Sequence, residues 1–249
     1  MDLTPPQTAA MLAIGDEILS GRTKDRNVGH LAEMLTLAGI DLKEVRIVGD
    51  EPRAICDALN TLRRAYDHVF TSGGIGPTHD DLTADAVASA FGVPIGYHPV
   101  AYRRLEENYA RREMEFTEAR KRMARTPDGA SLIDNPVSVA PGFKVENVYV
   151  MAGVPAVFQA MVANVVASLP QGRAVMSESL ACPFGEGEIG GPLGEIQKRH
   201  PHVMIGSYPK FDRDKYSTEI VVRSRDHDAL IAARDEIAAM LATMAAQRR

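Results

Sequence analysis

Residues 71–83 read Thr-Ser-Gly-Gly-Ile-Gly-Pro-Thr-His-Asp-Asp-Leu-Thr, and this stretch is the most informative part of the chain. Its three glycines follow closely on an apolar run at 68–70, and two adjacent acids lead into a helix-like segment. Because glycine lacks a Cβ atom, it can adopt positive φ and let backbone N–H groups approach an anion. A helix start behind such a loop adds free N–H groups and a positive dipole end. The stretch therefore predicts an anion-binding turn between a strand and a helix.

This loop differs from two common phosphate-binding motifs. It has no Lys at the position required in a P-loop, and it does not match G-x-G-x-x-G. Two acids beside a glycine loop suit a divalent metal that bridges to phosphate, because hard cations prefer oxygen ligands. The alternative is a tight turn in which Asp80, Asp81 and Thr83 only cap the next helix. The combination of glycines, proline and acids in one loop favours a functional site.

The composition of the 249 residues fits one large domain, or a large domain followed by a small one. Hydrophobic residues make up 45% of the chain and the formal net charge is −5, which argues against a general nucleic-acid partner. The chain has no Trp and only 6% aromatic residues, so surfaces on which bases could stack are scarce. We therefore expect a small-molecule partner and no nucleic acid.

The cysteines and the first residues indicate the compartment. Cys56 and Cys182 lie far apart without metal-like spacing, which fits free thiols in a reducing environment. Residues 1–8 lack a cationic start, and the apolar run 9–14 is too short for a signal sequence or a membrane span. A cytoplasmic protein without membrane association is expected.

Apolar patterns typical of strands and helices alternate along the first two thirds of the chain. The predicted strands are 9–14, 45–48, 68–71 and 148–151, and the predicted helices are 27–38, 52–66, 83–91 and 155–169. This alternation predicts an α/β fold with a doubly wound, mostly parallel sheet.

Two further segments complete the predicted organisation. Residues 99–125 are rich in both Arg and Glu, which favours a solvated helix with i,i+4 ion pairs at Glu107–Arg111 and Glu118–Arg122. The alternative is that one or two of its arginines reach an anionic ligand. The sequence Pro170-Gln171-Gly172 breaks the chain, so we place a domain boundary between 1–172 and 173–249. The second part reads as a small α+β domain of ferredoxin-like or KH-like type.

In an open parallel sheet, ligands bind outside the carboxyl ends of the strands, and three loops of this chain take that position. They are 15–21, 73–81 and 152–155. The candidate ligand-binding residues on them are Gly15, Gly73, Gly74, Gly76, Pro77, Thr78, Gly153 and Pro155. Asp16, Asp80 and Asp81 are the candidate catalytic and metal-binding residues. Three carboxylates beside an anion repel it and one another unless a cation lies between them, which predicts Mg²⁺ or a similar divalent ion. The alternative is that each acid only caps its own loop.

Taken together, these residues resemble the MoaB/Mog molybdopterin-binding domain superfamily. The chain is most similar to the CinA-like (competence/damage-inducible) branch and to the N-terminal domain of eukaryotic FAD synthases. The matching stretches are 15–21, 49–50, 71–83, 135–143 and 153–155. The part from 173 onwards is similar to the small domain that follows in CinA-like proteins.

The resemblance implies a doubly wound α/β fold, a homo-oligomer with a dimer favoured, and a site for molybdopterin or a nucleotide. In the CinA-like and FAD-synthase branches it also implies a hydrolase that cleaves pyrophosphates such as ADP-ribose or FAD with a divalent metal. Ala152 and Val157 depart from the family pattern, which usually has Pro and an acid there. A non-catalytic binding module of molybdenum cofactor metabolism, and an interaction protein without chemistry, are the alternatives.

Overall fold

Two units make up the chain, Met1–Gly172 and Arg173–Arg249. The computed structural model describes residues 5–212 and 215–248 of them. Each unit has its own sheet and its own hydrophobic core.

The first unit is an α/β fold around a six-stranded sheet. Its strands are β1 Thr8–Ile14, β2 Asp41–Val48, β3 His68–Ser72, β4 Ile95–Tyr97, β5 Arg125–Pro127, β6 Ser131–Ile133, β7 Gly142–Val145 and β8 Val148–Met151. Its helices are α1 Asp16–Leu19, α2 Asn27–Leu37, α3 Pro52–Ala65, α4 Thr83–Phe91, α5 Pro99–Arg111, α6 Glu118–Lys121 and α7 Pro155–Ser168. The order in the sheet is β2-β1-β3-β8-β7-β6, and the four strands β2, β1, β3 and β8 are parallel. The predicted fold class is confirmed.

Helices cover both faces of this sheet, which explains its apolar strands. The side chains of Ala9–Ile14 in β1 are at most 2% exposed, as expected for a strand buried on both faces. Leu31 of α2 and Phe158 of α7 pack on one face, and Leu59 of α3 and Val87 of α4 pack on the other. The rigid centre of the sheet therefore fixes where β1, β3 and β8 end.

The polar segment 99–125 is not the single helix that its charges predicted. It is broken into α5, α6 and a short 3₁₀ turn, and Glu113 between the helices has φ +53°. Aromatic contacts accompany the break: Phe116 packs on Tyr102 and Tyr109 with ring centres 5.1 and 5.5 Å apart. The charge pattern alone gives no sign of these ring contacts.

The second unit has an α+β fold, as predicted. Its elements are β9 Met176–Cys182, α8 Glu186–Arg199, β10 Met204–Asp212, β11 Lys215–Ser224 and α9 His227–Gln247. The antiparallel sheet has the order β10-β11-β9, and its core includes Ile189 of α8 and Ile237 of α9. Across 5–212 and 215–248, no helix combines the length and hydropathy needed to cross a membrane.

Candidate active site

A cavity of about 410 Å³ opens where β1, β3 and β8 end. Its lining residues are Ile14, Gly15, Glu17, Asp50, Gly73, Gly74, Ile75, Gly76, Thr78, Asp80, Asp81, Met123, Asn135, Ser138, Ala140, Ala152, Gly153, Val154 and Val157. This is the edge at which open α/β sheets bind ligands. The cavity has the volume of a small-molecule site.

The glycine turn, residues 73–76 after β3, is held in one conformation. Gly73 and Gly74 have φ of +110° and +67°. The Thr83 hydroxyl donates to the Gly73 carbonyl at 3.0 Å, and the Thr83 N–H donates to the Gly74 carbonyl at 3.0 Å. A Cβ atom on Gly73 would lie 2.2 Å from the carbonyl oxygen of Ile14 in β1. The backbone of the turn is therefore packed directly against the neighbouring strand. The predicted approach to an anion stays a prediction.

Four carboxylates line the cavity, and they come from α1 and from the loops after β2 and β3. They belong to Glu17, Asp50, Asp80 and Asp81. Asp16 is exposed and does not line the cavity, because its carboxylate turns towards Gly49 when α1 begins. Its backbone N–H instead donates to the Asp50 carboxylate at 2.9 Å.

The two acids with shifted pKa values respond to their surroundings in opposite ways. Burial raises the pKa of Asp50, and the carboxylates of Asp16, Glu17 and Asp80 raise it further, whereas the Asp16 N–H acts against them. The pKa of Asp80 is lowered, chiefly because the Thr78 hydroxyl is within reach of its carboxylate. Asp80 is therefore fully ionised at neutral pH, while Asp50 holds its proton more tightly than an ordinary aspartate.

Asp81 forms hydrogen bonds back to Thr78 in the loop that follows the glycine turn. Its carboxylate accepts hydrogen bonds from the hydroxyl and from the N–H of Thr78, the latter at 2.8 Å. Within 5–212 and 215–248, no three His, Cys, Asp or Glu side chains are grouped so that they could hold a metal ion. The acids thus do not form a preassembled three-carboxylate centre.

Most of the sequence-predicted residues come together in this cavity. Gly15, Gly73, Gly74, Gly76, Thr78, Gly153, Asp80 and Asp81 line it. Pro77 and Pro155 belong to the same loops but do not line it, and Pro155 is the first residue of α7. Proline at that position has a structural reason, since the first helical residue needs no N–H donor.

A polar turn at 135–140 also lines the cavity, and none of its residues is among the predicted site residues. The side-chain Oδ1 of Asn135 accepts hydrogen bonds from the N–H groups of Val137 and Ser138, both at 3.0 Å. Its amide nitrogen donates to the Ser138 hydroxyl at 2.7 Å and to the Ala140 carbonyl at 2.8 Å. Asn135 therefore fixes the turn and leaves Ser138 facing the cavity. Asn-Pro at 135–136 was a turn signal, but nothing in it indicated the cavity.

Asn27, the first residue of α2, stabilises two backbone segments next to the cavity. Its side chain is almost fully buried, and its amide nitrogen donates to the Ser72 hydroxyl at 2.7 Å and to the Gly153 carbonyl at 2.8 Å. One side chain thus ties the end of β3 to the loop after β8. An isolated Asn within a helical pattern gave no signal for this role.

Asp50→Asn is expected to raise the thermal midpoint at pH 7. The folded pKa of Asp50 is raised, so its ionised form costs stability above that pKa, and the cost disappears below the unfolded pKa of about 3.9. The asparagine keeps an oxygen that can accept the Asp16 N–H. Thermal melts at pH 7 and near pH 4 test this, and the gain should shrink as the pH falls. An equal gain at both pH values would show that charge is not its cause.

Fold and cavity together define a class of protein: an α/β unit with a cavity between a glycine turn and several acids at the carboxyl ends of its strands. A family profile described as "Probable molybdopterin binding domain" matches residues 10–171. The chain belongs to this family. A second profile, described as "FAD synthase, middle domain", matches residues 174–249.

Relatives and a solved structure match most of the chain. A protein of Aeropyrum pernix is 33% identical over 211 residues, which cover 81% of this chain and 79% of the relative. A protein of Archaeoglobus fulgidus is 32% identical over 200 residues, which cover 80% and 85%. The crystal structure of CinA from Thermoplasma acidophilum, a protein of unknown function, is 29% identical with a TM-score of 0.59 and covers 64% of this chain and 96% of that one. The resemblance read from the sequence is confirmed.

Proposed function

We propose that the first unit is a metal-dependent nucleotide pyrophosphatase acting on substrates of the ADP-ribose or FAD class. The observation that carries this proposal is the presence of a rigid glycine turn and four carboxylates in one cavity of about 410 Å³. The two matched family profiles favour a pterin or a nucleotide as ligand.

The glycine turn suits binding of the diphosphate, and the acids suit its hydrolysis. Backbone N–H groups of Gly74 and Gly76 would cradle the diphosphate. The Gly73 N–H already donates to the Met151 carbonyl at 3.1 Å and the Thr78 hydroxyl to the Asp81 carboxylate, so these two groups shape the turn rather than contact the ligand. Water would add to one phosphorus, the bridging P–O bond would break, and each product would keep one phosphate. Asp50, with its raised pKa, is suited to take the proton from that water.

The acids fit a divalent cation that arrives with the diphosphate. Mg²⁺ is usually held by one or two carboxylates together with substrate phosphates and water. Asp80 is ionised and its side chain is 61% exposed, so it is free to be such a ligand, with Asp81 beside it. The bound cation would polarise a phosphoryl oxygen and offset the charge of the acids. Asp16 lies outside the lining and is the least suited of the three predicted ligands.

A non-catalytic module that binds molybdopterin is the second candidate. Val157 favours it, because this apolar side chain lines the cavity and is only 8% exposed at a position where the family commonly has an acid. An apolar wall suits a ring system, and the loss of an acid removes one oxygen ligand from the site.

A thermal-shift screen tests the proposal against this second candidate. ADP-ribose, FAD and a pterin are each titrated with and without MgCl₂. A ligand at 100 times its Kd stabilises the folded state by about 2.7 kcal/mol, which shifts the midpoint by several degrees. We expect Mg²⁺ alone to shift it little and Mg²⁺ with a nucleotide to shift it strongly. A shift with pterin alone, independent of metal, would support the binding module instead.

A further inference from the structure

Arg122 lies behind the glycine turn, in the short 3₁₀ segment after α6. Its terminal Nη2 atom donates a hydrogen bond to the backbone carbonyl of Asp81 at 3.1 Å. Its Nε atom is buried and has no hydrogen-bond partner among residues 5–212 and 215–248. The side chain therefore reaches from one structural segment to the acid pair of another.

No local carboxylate neutralises this guanidinium within the described part of the chain. The acid Asp85 is paired with Arg125, which donates hydrogen bonds to both of its carboxylate oxygens at 3.0 and 2.6 Å. Arg122, Gly76 and Asp81 together line a void of about 10 Å³. Arg122 thus places an uncompensated positive charge next to the acid-rich loop.

We propose that Arg122 is a positioning residue that fixes the main chain of Asp81 and so aims the Asp80 and Asp81 carboxylates into the cavity. The role of these acids towards a ligand rests on the proposed pyrophosphatase function, but the effect of Arg122 on the loop does not. A guanidinium serves here because it spans the distance to the carbonyl and keeps its charge at every physiological pH.

The loop offers a readout that needs no ligand. The N–H of Asp81 donates to the Thr78 carbonyl at 3.3 Å, and the N–H of Thr78 donates to the Asp81 carboxylate at 2.8 Å. Both hydrogen bonds depend on where the Asp81 main chain lies. Amide hydrogen exchange at these two positions therefore reports on the anchoring of the loop.

The experiment compares exchange in the ligand-free parent, in Arg122→Met and in Arg104→Met. Arg104 is a matched control, because it also contacts one acid, Asp134 at 2.7 Å, but neither residue lines the cavity. We expect Arg122→Met to speed exchange at Thr78 and Asp81 at least tenfold, which corresponds to about 1.4 kcal/mol of lost protection. Exchange in β1 and β8 should stay as in the parent, and Arg104→Met should leave the turn unchanged.

A second variant guards against misfolding. Arg122→Lys keeps the charge and the aliphatic stem but reaches less far, so it should fold and still speed exchange at the same two amides. For a protein that hydrolyses ADP-ribose, both Arg122 variants should lower kcat more than they raise KM. Unchanged exchange in a folded variant, or an equal rise throughout the unit, would overturn the proposal. If the parent hydrolyses no diphosphate, the function fails but the exchange result still decides the role of Arg122.

Discussion

Gly73→Ala is expected to abolish ligand binding and to destabilise the first unit by about 3 kcal/mol or more, the scale of combined backbone strain and steric overlap. Gly73 has φ +110°, a conformation that residues with a Cβ atom rarely adopt. The added Cβ would lie 2.2 Å from the Ile14 carbonyl oxygen, which belongs to the central strand and has no room to move. The turn would have to shift away from β1. Its backbone N–H groups would then leave the positions in which we propose that they bind the ligand.

Gly129→Ala provides the control for this change. Gly129 also has positive φ, at +77°, but nothing lies within 4 Å of a Cβ placed there. Alanine at 129 should cost only about 1 kcal/mol of strain and leave binding intact. Urea unfolding and titration with Mg²⁺ and ADP-ribose measure both effects. If a folded Gly73→Ala protein bound ligand with the parental affinity, the turn would have no part in the site.

Asp80→Asn is expected to lower kcat/KM for diphosphate hydrolysis by 100-fold or more, equivalent to about 2.7 kcal/mol of lost transition-state stabilisation. The side chain is 61% exposed, and its one ion-pair contact in the described chain is the exposed His79, 3.9 Å away. Asparagine keeps the shape but loses the charge that a divalent cation requires. The thermal midpoint should therefore change by less than about 2 °C.

Asp134→Asn is the matched control for Asp80→Asn. It removes an acid that is 72% exposed and paired with Arg104, in the same unit but outside the cavity lining. We expect parental activity in this variant. Equal turnover in the Asp80 and Asp134 variants at matched metal concentration would remove Asp80 from the chemistry.

Local signals sufficed for the fold and for the glycine turn. The apolar run 9–14 predicted a strand buried on both faces, and the glycines at 73 and 74 predicted positive φ. Both features depend on residues next to one another in the chain, so a pattern can reveal them. The two units of the structure meet at Gly172, beside the breaking residues Pro170-Gln171-Gly172.

The rest of the site depends on contacts between distant residues. Asp16 was chosen for its place after β1, but α1 begins at that residue and leaves Glu17, rather than Asp16, on the cavity. Asp50 and Ser138 reach the cavity only because β2 and the hairpin β6–β7 lie where the sheet places them. No periodicity in the sequence reports such a meeting. Self-association and the cytoplasmic location stay predictions.

We propose above all that the glycine turn and the acids act together on a diphosphate. An assay of hydrolysis with analysis of the products is the most direct test. Purified protein is incubated with ADP-ribose or FAD, with MgCl₂ or with EDTA, and the products are separated by chromatography. We predict AMP together with ribose phosphate or FMN, formed only with the metal and lost in Asp80→Asn. Intact substrates after prolonged incubation with Mg²⁺, in a protein that binds them in the thermal-shift screen, would contradict the claim and leave a binding module.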